Sequence, residues 1–172
     1  MKKKIFLISV IIFSAIAVNA QKFAVVDMDY ILKNIPSYES ANDQLSQLST
    51  KWQKDVEAKL AEIQTMYKNY ETELVFLSAE MKVKREKEIL DKEREANDLK
   101  RKYFGPEGEL FKKREALIKP IQDEIYNAIK ELSNSKGYQY VVDRNSPGVI
   151  FAAPKIDISD EVLNQMGYSK SK

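Results

Sequence analysis

From Tyr38 to Lys136 the chain keeps a helical apolar rhythm, and a strand-like segment stands on either side of that run. A strand, a very long helical excursion and a return to β structure is an unusual plan for an enzyme. It fits a long helical hairpin joined to a small β head. Such an arm cannot bury all of its apolar surface within one chain, so the surface left over is available to other molecules.

The outgoing helix is expected to start at Ser37 or Ser40, with Pro36 ending a brief helix before it. Its apolar positions are Ala41, Leu45, Leu48, Trp52, Val56, Leu60, Ile63, Tyr67, Tyr70, Leu74 and Leu77, and ten steps over 36 residues give the period of a straight α-helix. A helix from Glu39 to Leu77 would be about 58 Å long. The chain must then turn back. Gly105-Pro106-Glu107-Gly108 is one candidate. A turn there would leave the return too short to reach the next strand, so the reversal is placed near 78–82 and the Gly-Pro segment is read as a kink on the return. The stretch Met81 to Lys102 is rich in charge and poor in apolar residues. Leu110 to Leu132 is apolar again at three- and four-residue steps.

The flanks supply the β structure. Phe23 to Met28 reads as a strand, with Asp29 capping a short helix to about Asn34. Gly137 suits the left-handed position after a helix. Tyr138 to Asp143 reads as a second strand, and Asn145-Ser146-Pro147-Gly148 as a turn. Val149 to Ala153 is expected to be its hairpin partner. Ser159 is expected to cap a last helix. The fold class is therefore α+β, mostly α. The domains are a leader at 1–20, head segments at 21–38 and 137–172, and an arm at 39–136. Three short strands are a small core for a chain with no cysteine to form a disulfide. The head is accordingly expected to be completed by oligomerisation, through Val25, Val26, Val141, Val142, Ile150 and Phe151.

Lys2, Lys3 and Lys4 precede an apolar run from Ile5 to Val18, and Val18-Asn19-Ala20 fits a leader cleaved after Ala20. That reading places the protein in the periplasm. The run is short for a membrane anchor. The formal charge of +2 rests on these three lysines: without them 25 basic residues face 26 acidic ones. A near-neutral mature chain is a poor fit to nucleic acid.

The export leader, the strand Phe23 to Met28 and the long charged hairpin resemble the Skp (OmpH) family of periplasmic chaperones. The closing block carries most of the likeness: Tyr140-Val141-Val142-Asp143, then Ile156-Asp157-Ile158-Ser159-Asp160-Glu161-Val162-Leu163. The resemblance implies a homotrimer whose strands form a common head and whose three hairpins surround a cavity for unfolded outer-membrane proteins. It implies that these clients are held without ATP. This mature chain is less basic than the family's strongly basic members, and it carries the Gly105–Gly108 interruption.

Neither histidine nor cysteine is present, which removes the commonest general base and the thiol nucleophile. Asp27, Asp29 and Asp143 near strand ends are better read as capping residues than as a carboxylate site. No catalytic residue, cofactor or metal is assigned, and no Gly-rich phosphate loop occurs. Trp52, Tyr67, Tyr70, Phe76 and Tyr103 are either packing between the two arm helices or client contacts. Packing is the better reading for Trp52 and Tyr67. Phe76 and Met81, near the turn, are client-contact candidates. So are Lys82, Lys84, Arg85 and Lys87, whose alternative role is a solvated face. A basic rim of this kind also suits transient contact with an anionic membrane surface. A structural coiled-coil scaffold with one fixed partner is the competing function.

Overall fold

The structure is a computed structural model and describes residues 22–168; the leader and its cleavage point lie outside them. In order, the elements are β1 (Lys22–Val26), α1 (Met28–Lys33), α2 (Pro36–Glu73), α3 (Ala79–Phe104), α4 (Glu109–Lys136), β2 (Tyr138–Asp143), a 3-10 turn (Pro154–Ile156) and α5 (Ser159–Gln165). They divide into two compact units. Residues 22–34 and 125–168 form one, and Ile35–Glu124 the other. Among the described residues no helix is long and apolar enough to cross a membrane.

In the sheet unit β1 and β2 pair in parallel, with Phe23 opposite Tyr140 and Val25 opposite Val142. A parallel pair needs a crossover connection, and here three long helices supply it. Ala24, Val25 and Val26 are all buried, as are Ile31 and Leu32 of α1 and Val162 and Leu163 of α5. On α4, Ile125, Ala128 and Leu132 are buried at helical spacing. Gly137 takes φ 75° directly after α4, and its amide donates to the Ser133 carbonyl.

Several boundaries depart from the sequence reading. β1 stops at Val26 because Asp27, not Asp29, caps α1: its Oδ1 accepts from the Tyr30 amide at 2.9 Å. Pro36 opens α2 rather than closing the helix before it, since at the first helical position its missing N–H costs no hydrogen bond. Among the described residues two strands are seen where three were expected. Val149–Ala153 forms no strand, and Ile150 is fully exposed. The far edge of β1 is taken by the segment at 157–158, through a parallel bridge from Val25 to Asp157 and a bond from the Ile158 amide to the Val25 carbonyl. The chain leaves β2 through two successive turns, Ser146 amide to Asp143 carbonyl and Val149 amide to Ser146 carbonyl, and 149–153 does not fold back onto the outer edge of β2. Nor does Ser159 cap α5. Ile158 holds that position, and Ser159 is buried inside the first turn.

In the hairpin unit α2 has 38 residues, a length of about 57 Å. The break after it lies at 74–78, slightly ahead of the expected 78–82. Ser78 sets the boundary: its hydroxyl accepts from the Met81 amide, and the helix resumes at Ala79. The helices α2 and α3 are antiparallel, because partners on one rise in number as those on the other fall. Tyr70 meets Glu86, Tyr67 meets Glu93, and Trp52 stacks on Tyr103. At Gly105–Gly108 the helix is fully interrupted, a stronger feature than the kink expected. A Cβ on Gly105 would lie 2.4 Å from the Arg101 carbonyl oxygen, and one on Gly108 would lie 2.8 Å from that of Tyr103. Only glycine allows the backbone to fold that closely on itself.

Candidate functional site

The seam between α2 and α3 is thin. Ile63, Ile89 and Ala96 form its apolar centre, with Met66 and Tyr70 packed beside them. Most of the remaining closure is polar and aromatic. The Tyr67 hydroxyl donates to Glu93 at 2.9 Å, the Tyr70 hydroxyl donates to Glu86, and Arg85 pairs with Glu73 at 3.3 Å. Trp52 and Tyr103 stack with ring centres 4.8 Å apart. Trp52, Tyr67 and Tyr70 are thus hairpin contacts.

The carboxylates leave a mark on the two phenols. Tyr67 and Tyr70 are held above their ordinary value near 10, first by donating to Glu93 and Glu86, then by partial loss of hydration, then by the carboxylates' charge. The bonds are complete below the phenol's unfolded value and lost as pH rises through the higher folded one. In a spectrophotometric titration near 295 nm, Tyr67→Phe and Tyr70→Phe should therefore each remove a late-ionising phenol. Substitutions that leave the alkaline end of the titration unchanged would contradict these two bonds.

Part of what the seam leaves uncovered is apolar. Leu60 and Tyr67 on α2 and Leu74 at its C-terminal cap form a row at seven-residue steps, and all are at least partly exposed. Val83 and Leu90 form a second row on α3. Seven residues fall about 20° short of two full turns, so each set stays on one side of its helix. Val83 and Leu90 lie three or four positions from Glu86 and Glu93, so the α3 row borders the carboxylates that Tyr70 and Tyr67 reach. At the break, Val75 and Phe76 are 81% and 85% exposed, and Met81 is 51% exposed. Phe76 and Met81 were legible as candidates; Val75, Val83, Leu60 and Leu90 were not. The seven-residue spacing from Val83 to Leu90, off the main stripe, was the signal in the sequence.

The basic cluster divides in two. Arg85 belongs to the hairpin seam, paired with Glu73 and with Glu88 at 3.6 Å. Among the described residues no carboxylate lies within 4 Å of the ammonium of Lys82, Lys84 or Lys87. These three lysines are uncommitted at the same end of the hairpin as Phe76 and Met81.

In the sheet unit, Val25 and Val26 are buried within the chain, and Val141 and Val142 are half-buried. Ile150 and Phe151 are exposed, as are the paired Phe23 and Tyr140. Asp27 and Asp143 act as caps and turn ligands: Asp27 Oδ1 also accepts from the Asn145 side chain, and Asp143 Oδ1 accepts from the Asn145 amide. Among the described residues no group of acidic side chains is arranged to hold a metal ion. One arrangement was not anticipated. Ser159 Oγ accepts from the Asp27 amide at 2.7 Å and donates to Asp157 Oδ1 at 2.6 Å, while Asp157 Oδ2 takes Arg144 at 2.9 Å. The closing block thus ties the C-terminal segment to the end of β1.

The sequence profile described as Outer membrane protein (OmpH-like) matches residues 22–166. The chain belongs to the OmpH-like family. Among curated relatives it is 26% identical over 152 residues to a protein of Yersinia enterocolitica named Chaperone protein Skp, covering 87% of this chain and 88% of that one. A protein of the same name from Photorhabdus luminescens is 26% identical over 163 residues, with 90% of each chain covered. The crystal structure of an OmpH-like protein from Caulobacter crescentus superposes with a TM-score of 0.67 at 10% identity, covering 89% of each chain. That likeness establishes the fold: mostly helical, with two short strands and a long helical hairpin. The curated relatives bear a chaperone's name rather than an enzyme's.

Proposed function

We propose that this member of the OmpH-like family is a periplasmic, ATP-independent holdase that binds unfolded outer-membrane proteins and keeps them from aggregating. The observation that carries the reading is the hairpin: two exposed apolar rows and an exposed apolar turn stand beside three unpaired lysines. An unfolded client offers dispersed apolar side chains and mixed charge. Many weak, separate contacts hold such a chain while letting it leave without an energy source, since each can exchange independently. Phe76, Met81, Lys82, Lys84 and Lys87 are the client contacts, and Arg85 shapes the hairpin that presents them. The chaperone name of the curated relatives supports the same reading.

We further propose that the protein acts as a homotrimer joined through its sheet unit. The outer edge of β2 has no partner strand among the described residues, and Ile150, Phe151, Phe23 and Tyr140 lie exposed. An open edge beside exposed apolar side chains is suited to strand pairing between chains. Val141, Val142, Ile150 and Phe151 supply that contact, while Val25 and Val26 hold β1 in place behind it.

Sedimentation tests both parts together. The purified chain from Gln21 onward should sediment with the mass of three copies. It should co-sediment with a urea-diluted outer-membrane β-barrel protein, and not with the same barrel already folded in detergent. A monomer would remove the trimer. Equal binding to folded and unfolded barrel would favour a scaffold with a fixed partner.

A further inference from the structure

Resting on the holdase reading, we propose that Met81 is an oxidation site through which a hydroperoxide weakens client capture. The chain has no cysteine, so its sulfur chemistry is confined to methionine. The described methionines are not equivalent. Met28 and Met166 are half-buried in the sheet unit, and Met66 packs against Ile63, Ile89 and Ala96. Met81 is half-exposed at the hairpin turn, beside the solvent-facing Val75, Phe76 and Val83. Its backbone is fixed there by the Ser78 cap, so the thioether is held in the first turn of α3. It is the described methionine whose sulfur an aqueous oxidant meets with least obstruction, and it lies within the surface assigned to clients.

The step is a two-electron oxygen transfer. A sulfur lone pair attacks the distal, protonated peroxide oxygen, an S–O bond forms as the O–O bond breaks, and the alkoxide or hydroxide released takes the proton of the new S–OH and leaves as an alcohol or water. Sulfur is oxidised and the peroxide reduced. The flexible, polarisable thioether adapts to many apolar partners, whereas the sulfoxide is polar and carries a strong acceptor oxygen. The turn would lose part of its apolar surface without any change in the hairpin seam, because Met81 is outside that seam. Reduction of the sulfoxide by a methionine sulfoxide reductase restores it.

The test treats the intact protein and the Met81→Leu variant with limiting hydrogen peroxide. Peptide mass mapping then follows oxygen incorporation, and co-sedimentation with a urea-diluted barrel protein follows capture. Leucine keeps the volume and apolarity of methionine but cannot be oxidised. Met81 should gain oxygen at least about fivefold faster than Met66, and peroxide should lower capture by the wild type about threefold from its own untreated level, while treated and untreated Met81→Leu capture alike. The proposal is overturned if Met28, Met66 or Met166 reacts first, or if wild type and variant lose capture equally. If the untreated wild type captures nothing, the holdase reading and the regulatory consequence both fail, while the oxidation order still decides the site.

Discussion

Replacing Asp157 with alanine should destabilise the sheet unit by about 3 kcal/mol, more than any other single polar truncation there. Its Oδ1 accepts from both the amide and the hydroxyl of Ser159, at 2.9 and 2.6 Å, and its Oδ2 takes Arg144. Ser159 is buried, and its oxygen in turn receives the Asp27 amide where β1 ends. Without the carboxylate the Ser159 groups lose their acceptor in a place water reaches poorly. Ser159→Ala should cost somewhat less, about 2 kcal/mol, because one buried amide is left unpaired. Arg144→Ala should cost under about 1 kcal/mol, since its side chain is 40% exposed and turns readily to water. Urea unfolding at fixed protein concentration gives this ranking, and the double variant at 157 and 159 should cost less than the two singles added. Equal losses for Arg144→Ala and Asp157→Ala would mean the ion pair, not the buried serine, holds this corner.

The second large effect concerns capture. Lys82, Lys84 and Lys87 have no carboxylate partner within the hairpin, so their charge is free to attract a client. Reversing all three to glutamate should slow capture of an acidic unfolded barrel by about tenfold at low salt, through loss of steering rather than loss of fold. The gap should close as salt rises, because screening shortens from about 10 Å at 0.1 M to about 3 Å at 1 M. Arg85 is left out deliberately. Its reversal would set a carboxylate against Glu73 and Glu88, so slower capture could then reflect a loosened hairpin. Equal capture rates at low salt would reduce the three lysines to a solvated face.

The helices were legible because their period is carried by many residues at once. The apolar run from Ala41 to Leu77 outweighs any single position, and α2 follows it closely. Features that hang on one residue were harder. Pro36 looks the same in sequence whether it stops one helix or starts the next. Asp27 and Asp29 are equally good caps, and the end of the strand decided between them. Pro120 lies inside α4, where the apolar spacing continues on either side of it. Val149 to Ala153 misled for a physical reason. β-branched and aromatic residues favour strands only where they also find a surface to pack on, and here Ile150 and Phe151 have none within the chain: both are exposed, and the outer edge of β2 stays unpaired. The exposed rows on the hairpin were hidden by the same periodicity that revealed the helices. Leu60 and Tyr67 sit in the main stripe, yet they are turned partly away from the seam that buries Val56 and Ile63.

The claim on which the rest depends is that this surface holds unfolded chains. Light scattering from an outer-membrane β-barrel protein, diluted from urea with no nucleotide present, tests it directly. With the purified protein at about one trimer per barrel, scattering should stay near baseline, and the barrel should still fold when lipid vesicles are added. Scattering that rises as fast with the protein as without it, at every ratio, would contradict the account.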